Sequence, residues 1–183
     1  YEIPKRDWSS DVCSSDLAPP FMLYGHDGER RLLDKWSKKV GVPVFSTGVT
    51  QLAAMKALKI KTFFGVTSHK GKMAEVFRKY FVDAGFRVTA MERPLPLSMA
   101  IADLSPQEIY TRTKEAFLAH RGGAQAIFAQ GAAWRVIDVI EELEQDLGVP
   151  VLSPTVVRCW YIQRQLNVRQ PIKGLGHLLA TMP

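Results

Sequence analysis

The sequence predicts an α/β protein of two pseudo-symmetric lobes, with parallel sheets flanked by helices and an incomplete front lobe. Three observations carry this. Short apolar runs alternate with amphipathic segments of about a dozen residues, the pattern of strands joined by right-handed helical crossovers. Gly41-Val42-Pro43-Val44-Phe45-Ser46 and Gly148-Val149-Pro150-Val151-Leu152-Ser153 repeat one pattern, each preceded and followed by an amphipathic helix. Gln125 to Ser153 runs through strand, turn, helix and following strand without interruption.

Composition narrows the class. A chain of 183 residues, 46% hydrophobic and 23% charged, can bury one substantial core or two small ones. Its apolar runs are broken by Lys, Arg or Pro well short of the roughly 20 residues of a membrane helix, so no membrane partner is expected. The cysteines, Cys13 and Cys159, fit neither a disulfide framework nor a zinc spacing, and a reducing, cytoplasmic setting is the expectation. Cys159, in a helix beside Trp160, reads as a packed core thiol.

Residues 1–17, YEIPKRDWSSDVCSSDL, have no secondary-structure period and no apolar stretch of a targeting peptide. SSDVCSSDL resembles translated sequencing-adapter read-through, so the segment is set aside as an artefactual leader or a disordered tail. It holds two basic and four acidic groups of the 24 and 18 in the chain, which leaves 22 against 14, a balance of +8. That balance favours anionic ligands. The Lys and Arg are scattered along helices without a nucleic-acid motif, so a nucleic-acid partner is not expected.

Taken in order, the front lobe spans residues 18–48 together with 154–183. Phe21 to Tyr24 reads as a short strand, Gly25-His26-Asp27-Gly28 as a turn, and Glu29 to Val40 as a helix with Leu32, Leu33, Trp36 and Val40 on one face. Strand Val42 to Phe45 follows, and Ser46 or Thr47 caps a helix running to Lys59. In the middle lobe, 49–153, Thr62 to Val66 is a buried-type strand. The next helix carries Met73, Val76, Phe77, Tyr80 and Phe81 at helical spacing, and Phe86 to Glu92 is a strand. Arg93 to Leu104 is a long apolar loop of the kind that serves as a lid or an interface, which predicts self-association through it. Ser105 and Glu108 form a capping box around Pro106 for a helix to His120. Strand Ala124 to Ala129, helix Trp134 to Leu147 and strand Val149 to Leu152 complete the lobe. Ser153-Pro154 opens a last helix to Leu166, and the tail from Asn167 to Pro183 is expected to dock on the body.

Ligands of such sheets sit at the carboxyl ends of the strands. The candidate loops are therefore Tyr24 to Asp27, Ser46 to Val49, Thr67 to Lys70, Gln130 to Arg135 and Ser153 to Thr155. Several open helices, where free N–H groups and nearby hydroxyls suit a carboxylate or a phosphate. Each hydroxyl also has the simpler reading of an N-cap.

The GVPV-Ser endings and the stretch AQGAAWRVIDVIEELEQDLGVPV resemble the aspartate/glutamate racemase superfamily, in the branch of maleate isomerase and arylmalonate decarboxylase. The resemblance covers Ala18 to Pro183 and is strongest from Ala126 to Leu152. It implies two lobes, no metal or organic cofactor, and a small carboxylate held between the lobes by amides and hydroxyls. It also implies a pair of cysteine thiolates, which this sequence lacks: one position falls near Ala18 to Pro20, the other on Gly131. A two-thiol racemase mechanism is therefore not open to the chain. The family's tyrosine falls on His69, which can act as acid or base.

The substrate-binding set is then Ser46, Thr47, Gly48, Thr67, Ser68, Gly131, Ala132, Trp134, Arg135 and Ser153, with His69 as the candidate catalytic group. Arg135 reads either as a carboxylate partner or as part of a solvated helix face, and His26 with Asp27 as a second polar pair. The expected function is a cofactor-independent isomerase or lyase for a small carboxylic acid. A carboxylate-binding relative without turnover is the alternative, followed by a basic nucleic-acid-binding domain.

Overall fold

The computed structural model describes residues 13–15, 18–69, 71–94, 103–120, 122–131 and 135–183. Two parallel sheets organise them. In the front lobe, β1 (Cys13–Ser15) pairs with β2 (Val44–Ser46), Ser14 opposite Phe45. In the middle lobe, β3 (Thr62–Thr67), β4 (Arg87–Glu92), β5 (Ile127–Gln130) and β6 (Val151–Leu152) form a sheet in the order β4-β3-β5-β6, all parallel.

The helices are α1 (Ala18–Met22), α2 (Gly25–Val40), α3 (Thr47–Ala57), α4 (Lys72–Asp83), α5 (Pro106–His120), α6 (Ile140–Leu147), α7 (Pro154–Gln165) and α8 (His177–Thr181), with a 3-10 turn at Arg135–Asp138. None of the described helices is long and apolar enough to cross a membrane. Strand β3 is buried at all six positions because it lies between two neighbours under helices, the environment that makes a parallel strand read as a continuous apolar run.

Its Phe63 anchors an aromatic cluster, edge to face with Phe81 at 5.0 Å, Phe128 at 6.3 Å and Phe86 at 6.5 Å between ring centroids. The capping box forms as the spacing requires: the Ser105 N–H and hydroxyl both donate to Glu108 Oε2 at 2.9 Å, and the Glu108 N–H donates back to Ser105 Oγ. The C-terminal tail packs on the body, with Leu178 and Leu179 buried and the His177 N–H donating to Glu144 Oε2 at 2.7 Å.

Three expectations are corrected. Phe21 to Tyr24 is not a strand, since Phe21 and Met22 end α1 with their side chains buried. A four-residue apolar run has no period that separates helix from strand, and Pro19 and Pro20 suit a first helical turn. The presumed turn Gly25 to Gly28 is the first turn of α2, with Asp27 at the positive end of its dipole. Cys13–Ser15, inside the segment set aside as a leader or tail, pairs along one edge of β2. A lone strand such as β2 needs a partner for its backbone polar groups, and no side-chain pattern announces which segment supplies it. The helix expected from Trp134 to Leu147 is a 3-10 turn followed by α6. Of the loop from Arg93 to Leu104, residues 95–102 lie outside the described residues.

Candidate functional site

The carboxyl ends of β2, β3, β5 and β6 present a run of buried polar side chains. Ser46, Thr47, Thr50, Gln51, Thr67, Ser68, Gln130 and Ser153 are all buried. Burying so many polar groups costs free energy unless each finds a partner, so their arrangement can be followed bond by bond.

Ser46 ends β2 in extended backbone and caps α3, its Oγ accepting the Val49 N–H at 3.2 Å. The same hydroxyl donates to Glu29 Oε1 at 2.5 Å, and the Tyr80 hydroxyl donates to the other carboxylate oxygen. Glu29, on α2, is 1% exposed. Burial drives its pKa above the usual carboxylate range, and the two hydroxyls and nearby His26 offset part of that rise. Burial and the Glu29 carboxylate push the Tyr80 phenol upward, so it stays a donor. Gly48 passes directly beneath: a Cβ there would stand 2.5 Å from Tyr80 Oη and 3.0 Å from Glu29 Oε1.

At the end of β3, Thr67 Oγ1 accepts the His69 N–H at 3.1 Å, a local turn that fixes the loop. His69 is half-buried with its ring 5.3 Å from Phe77, and desolvation lowers its pKa below 6.5. The imidazole is thus neutral at pH 7, able to accept a proton. Arg93, the first residue after β4, donates from Nε to the Ser68 carbonyl at 2.7 Å. At the end of β5, Gln130 Oε1 accepts from Gln51 Nε2 at 3.1 Å. Gly131 follows with φ 136°, a conformation in which any side chain is strained. Ser153 caps α7, accepting the Val156 N–H at 3.4 Å.

The structure therefore gathers Ser46, Thr47, Gly48, Thr67, Ser68, His69, Gly131 and Ser153 at strand ends or the helix starts after them. The hydroxyls of Ser46 and Ser153 serve as caps. It does not bring Arg135 into this group: that side chain is 61% exposed and its Nε is held by Asp138 at 2.8 Å. Ala132 and Trp134 lie outside the described residues. His26 and Asp27 pair at 3.5 Å at the start of α2 rather than at a strand end. A cavity of about 450 Å³ opens there, lined among others by His26, Arg31, Lys79 and Tyr80, and so lies beside α2 and α4 instead of over the strands.

Sequence reasoning missed Glu29, Tyr80, Gln51 and Arg93. Glu29 had a signal: it stands four residues before Leu33, on the apolar face of its helix, where a carboxyl group is out of place. Arg93 had one too, as the first residue past a strand. The other two are ordinary helix residues whose polar atoms acquire meaning only through partners 51 and 79 residues away.

No cysteine stands at the carboxyl end of a described strand; Cys13 begins β1. Cys159 lies on α7, half-buried against the core. Ala18 to Pro20, where the superfamily's first cysteine would fall, open α1. No group of three His, Cys, Asp or Glu side chains among the described residues could hold a metal ion.

No curated protein sequence matches the chain. Solved structures match its fold. A mutant of arylmalonate decarboxylase in a sulfate-associated form superposes with a TM-score of 0.85 at 19% identity, over 93% of this chain and 74% of that one. The maleate isomerase Iso of Pseudomonas putida gives 0.80 at 19% identity, over 94% and 71%. The maleate cis-trans isomerase of Nocardia farcinica, bound to TRIS, gives 0.82 at 18% identity, over 93% and 71%. These neighbours are enzymes of the aspartate/glutamate racemase superfamily, which agrees with the resemblance read from the sequence. The family model described as arylmalonate decarboxylase matches residues 21–179, and on that match the chain belongs to the arylmalonate decarboxylase family.

Proposed function

We propose that the protein is a cofactor-independent isomerase or decarboxylase that acts on a small carboxylic acid at the carboxyl ends of its strands, with His69 in place of a thiol as the proton carrier. The observation that carries this reading is a half-buried imidazole of lowered pKa beside the Thr67–Ser68 end of the central strand, in a family of enzymes and in a chain with no cysteine at the carboxyl end of any described strand. A neutral imidazole takes a proton from the carbon next to the substrate carboxylate and becomes an imidazolium, and the imidazolium is the form that returns a proton to carbon, including after carbon dioxide leaves. In either direction negative charge develops on the carboxylate oxygens. In this reading hydroxyls and backbone N–H groups around Thr67, Ser68 and Gly131 stabilise it, and such donors are worth most where charge appears in the transition state. Ser46, Thr47, Gly48 and Ser153 shape the floor on the side of α3 and α7, and Ala132, Trp134 and Arg135 follow Gly131 in the chain.

The test is incorporation of deuterium from heavy water into a panel of mono- and dicarboxylic acids, followed by NMR. Exchange or carbon dioxide release is expected with at least one class of acid. His69→Ala should slow it by about 10²- to 10⁴-fold, the usual worth of a positioned acid or base. Because desolvation lowers the His69 pKa, deuterium exchange, which needs the neutral base, should hold on acidification through 6.5 and fall only below it, whereas carbon dioxide release, which needs the imidazolium to protonate carbon, should speed up as pH falls. Binding of an acid without exchange at any pH would instead mark a carboxylate-binding relative without turnover.

A further inference from the structure

Among the described residues, four buried side-chain atoms have no hydrogen-bond partner: Gln51 Oε1, Thr113 Oγ1, Trp160 Nε1 and Arg93 Nη2. Three belong to neutral groups, where one unmade bond costs about 1–3 kcal/mol. The fourth belongs to a permanent cation. None of the ion pairs among the described residues includes Arg93, although Glu92 precedes it in the chain. Arg93 as a whole is half-buried, but this one guanidinium nitrogen is shut away from water with no acceptor among the described residues, and such a donor calls for an occupant.

Its position says which kind. Arg93 is the first residue beyond β4, and its Nε is tied to the carbonyl of Ser68 at the end of β3. The bond holds the guanidinium at the carboxyl end of β3, against the residue that precedes His69. With Nε committed to Ser68, the end of the fork formed by Nη1 and Nη2 is the edge left for a ligand. Two parallel donors there match the two oxygens of a carboxylate. A single water could accept one proton from Nη2 but would leave the charge unpaired.

We propose that Arg93 is the anchor for the carboxylate of the substrate, held in place by Ser68 and gripping the anion through Nη1 and Nη2. This rests on the small-carboxylate reading above and gives it the cation that Arg135, paired with Asp138 on an exposed face, does not supply. The Ser68 carbonyl thereby has a function: it aims the fork and fixes the distance between the anchor and the proton carrier one residue further on. The prediction for substrate class is an acid whose reacting carbon lies close to an ionised carboxylate. The neutral amide of the same acid would lose this contact.

The test measures binding of acetate, malonate, succinate and phenylacetate, and of the amide of the tightest of them, by titration calorimetry. Wild type, Arg93→Met and Arg93→Lys are compared, each checked by thermal melting. Arg93→Met should weaken the acid about 10-fold or more and leave the amide unchanged, and Arg93→Lys should fall between, keeping charge without the fork. In parallel, the arginine side-chain ¹⁵N resonances of the wild type are followed during titration with the acid. One arginine resonance of the wild type, assigned by its absence from the spectrum of folded Arg93→Lys, should shift at saturation. Equal acid affinity in wild type and Arg93→Met, or no shifted arginine resonance, overturns the assignment while the carboxylate reading stands. Failure of the wild type to bind any acid overturns both.

Discussion

At the scale of single residues, the group with the widest consequences is Glu29. Its carboxyl joins α2 to β2 through Ser46 and to α4 through Tyr80, from a position almost fully out of water. Burial is the largest influence on it and raises its pKa above 4.5. The folded state therefore holds the proton more tightly than the unfolded chain, so this contribution to stability is complete below 4.5 and is lost as pH rises through the folded value. Glu29→Gln cannot ionise and should remove that loss. The gap in urea midpoint between wild type and variant, measured from pH 4 to 8, should shift in favour of the variant as pH rises. A gap that stays constant across the range would mean that the carboxyl is not the group that titrates. His69 has the opposite linkage: its pKa is lowered, so stability from its neutral form is present above 6.5 and is lost as pH falls through the depressed value.

At the scale of elements, the two halves of the repeat use the same device. Ser46 and Ser153 each end a strand and cap the next helix with their hydroxyl. They differ in what else the hydroxyl does. Ser153→Ala removes only a cap, which should cost about 1 kcal/mol. Ser46→Ala removes a cap and also a donor to a buried carboxyl, a bond worth about 1.5–3 kcal/mol by itself. Urea denaturation of both should therefore rank Ser46→Ala as the costlier change, and equal losses would show that the Glu29 contact contributes nothing. Gly48→Ala belongs with them. Its methyl group would meet Tyr80 Oη at 2.5 Å, so the phenol must give way in a packed interior, at a cost of about 1–3 kcal/mol.

At the scale of the molecule, the parallel middle sheet holds its aromatic cluster against α4 on one face and turns Phe64 toward Phe117 of α5. Phe63 touches three other rings and is fully buried, so Phe63→Ala should lose about 3–5 kcal/mol. Leu118→Ala, at a residue 52% exposed, should stay within about 0.5 kcal/mol. Chemical denaturation of the pair separates a core built on β3 from one spread evenly over the chain, since comparable losses would contradict the former. The tail adds a long-range tie: Glu144, on α6, accepts from the Val151 N–H at 2.8 Å and the His177 N–H at 2.7 Å, so one carboxyl links α6, β6 and α8.

Much of this was legible before any coordinates. Strand β3, the helix α4 with Phe77, Tyr80 and Phe81 inward, the capping box at Ser105 and the caps at Ser46 and Ser153 all follow from local rules. Periodicity, helix-end chemistry and the order of elements act over a few residues and are written in the chain. So were His69, Thr67 and Ser68 as strand-end residues, because a parallel sheet places all its carboxyl ends together. What only the tertiary structure decided depends on partners far apart in sequence. It made Cys13–Ser15 an edge for β2, turned Phe21 and Met22 into a helix end, and paired Arg135 with Asp138 outside the candidate site. It also brought Glu29 to Tyr80, and Arg93 to Ser68. A side chain's polarity is fixed by its sequence, but whether it is satisfied depends on which other atoms the folded chain sets within about 3 Å of it.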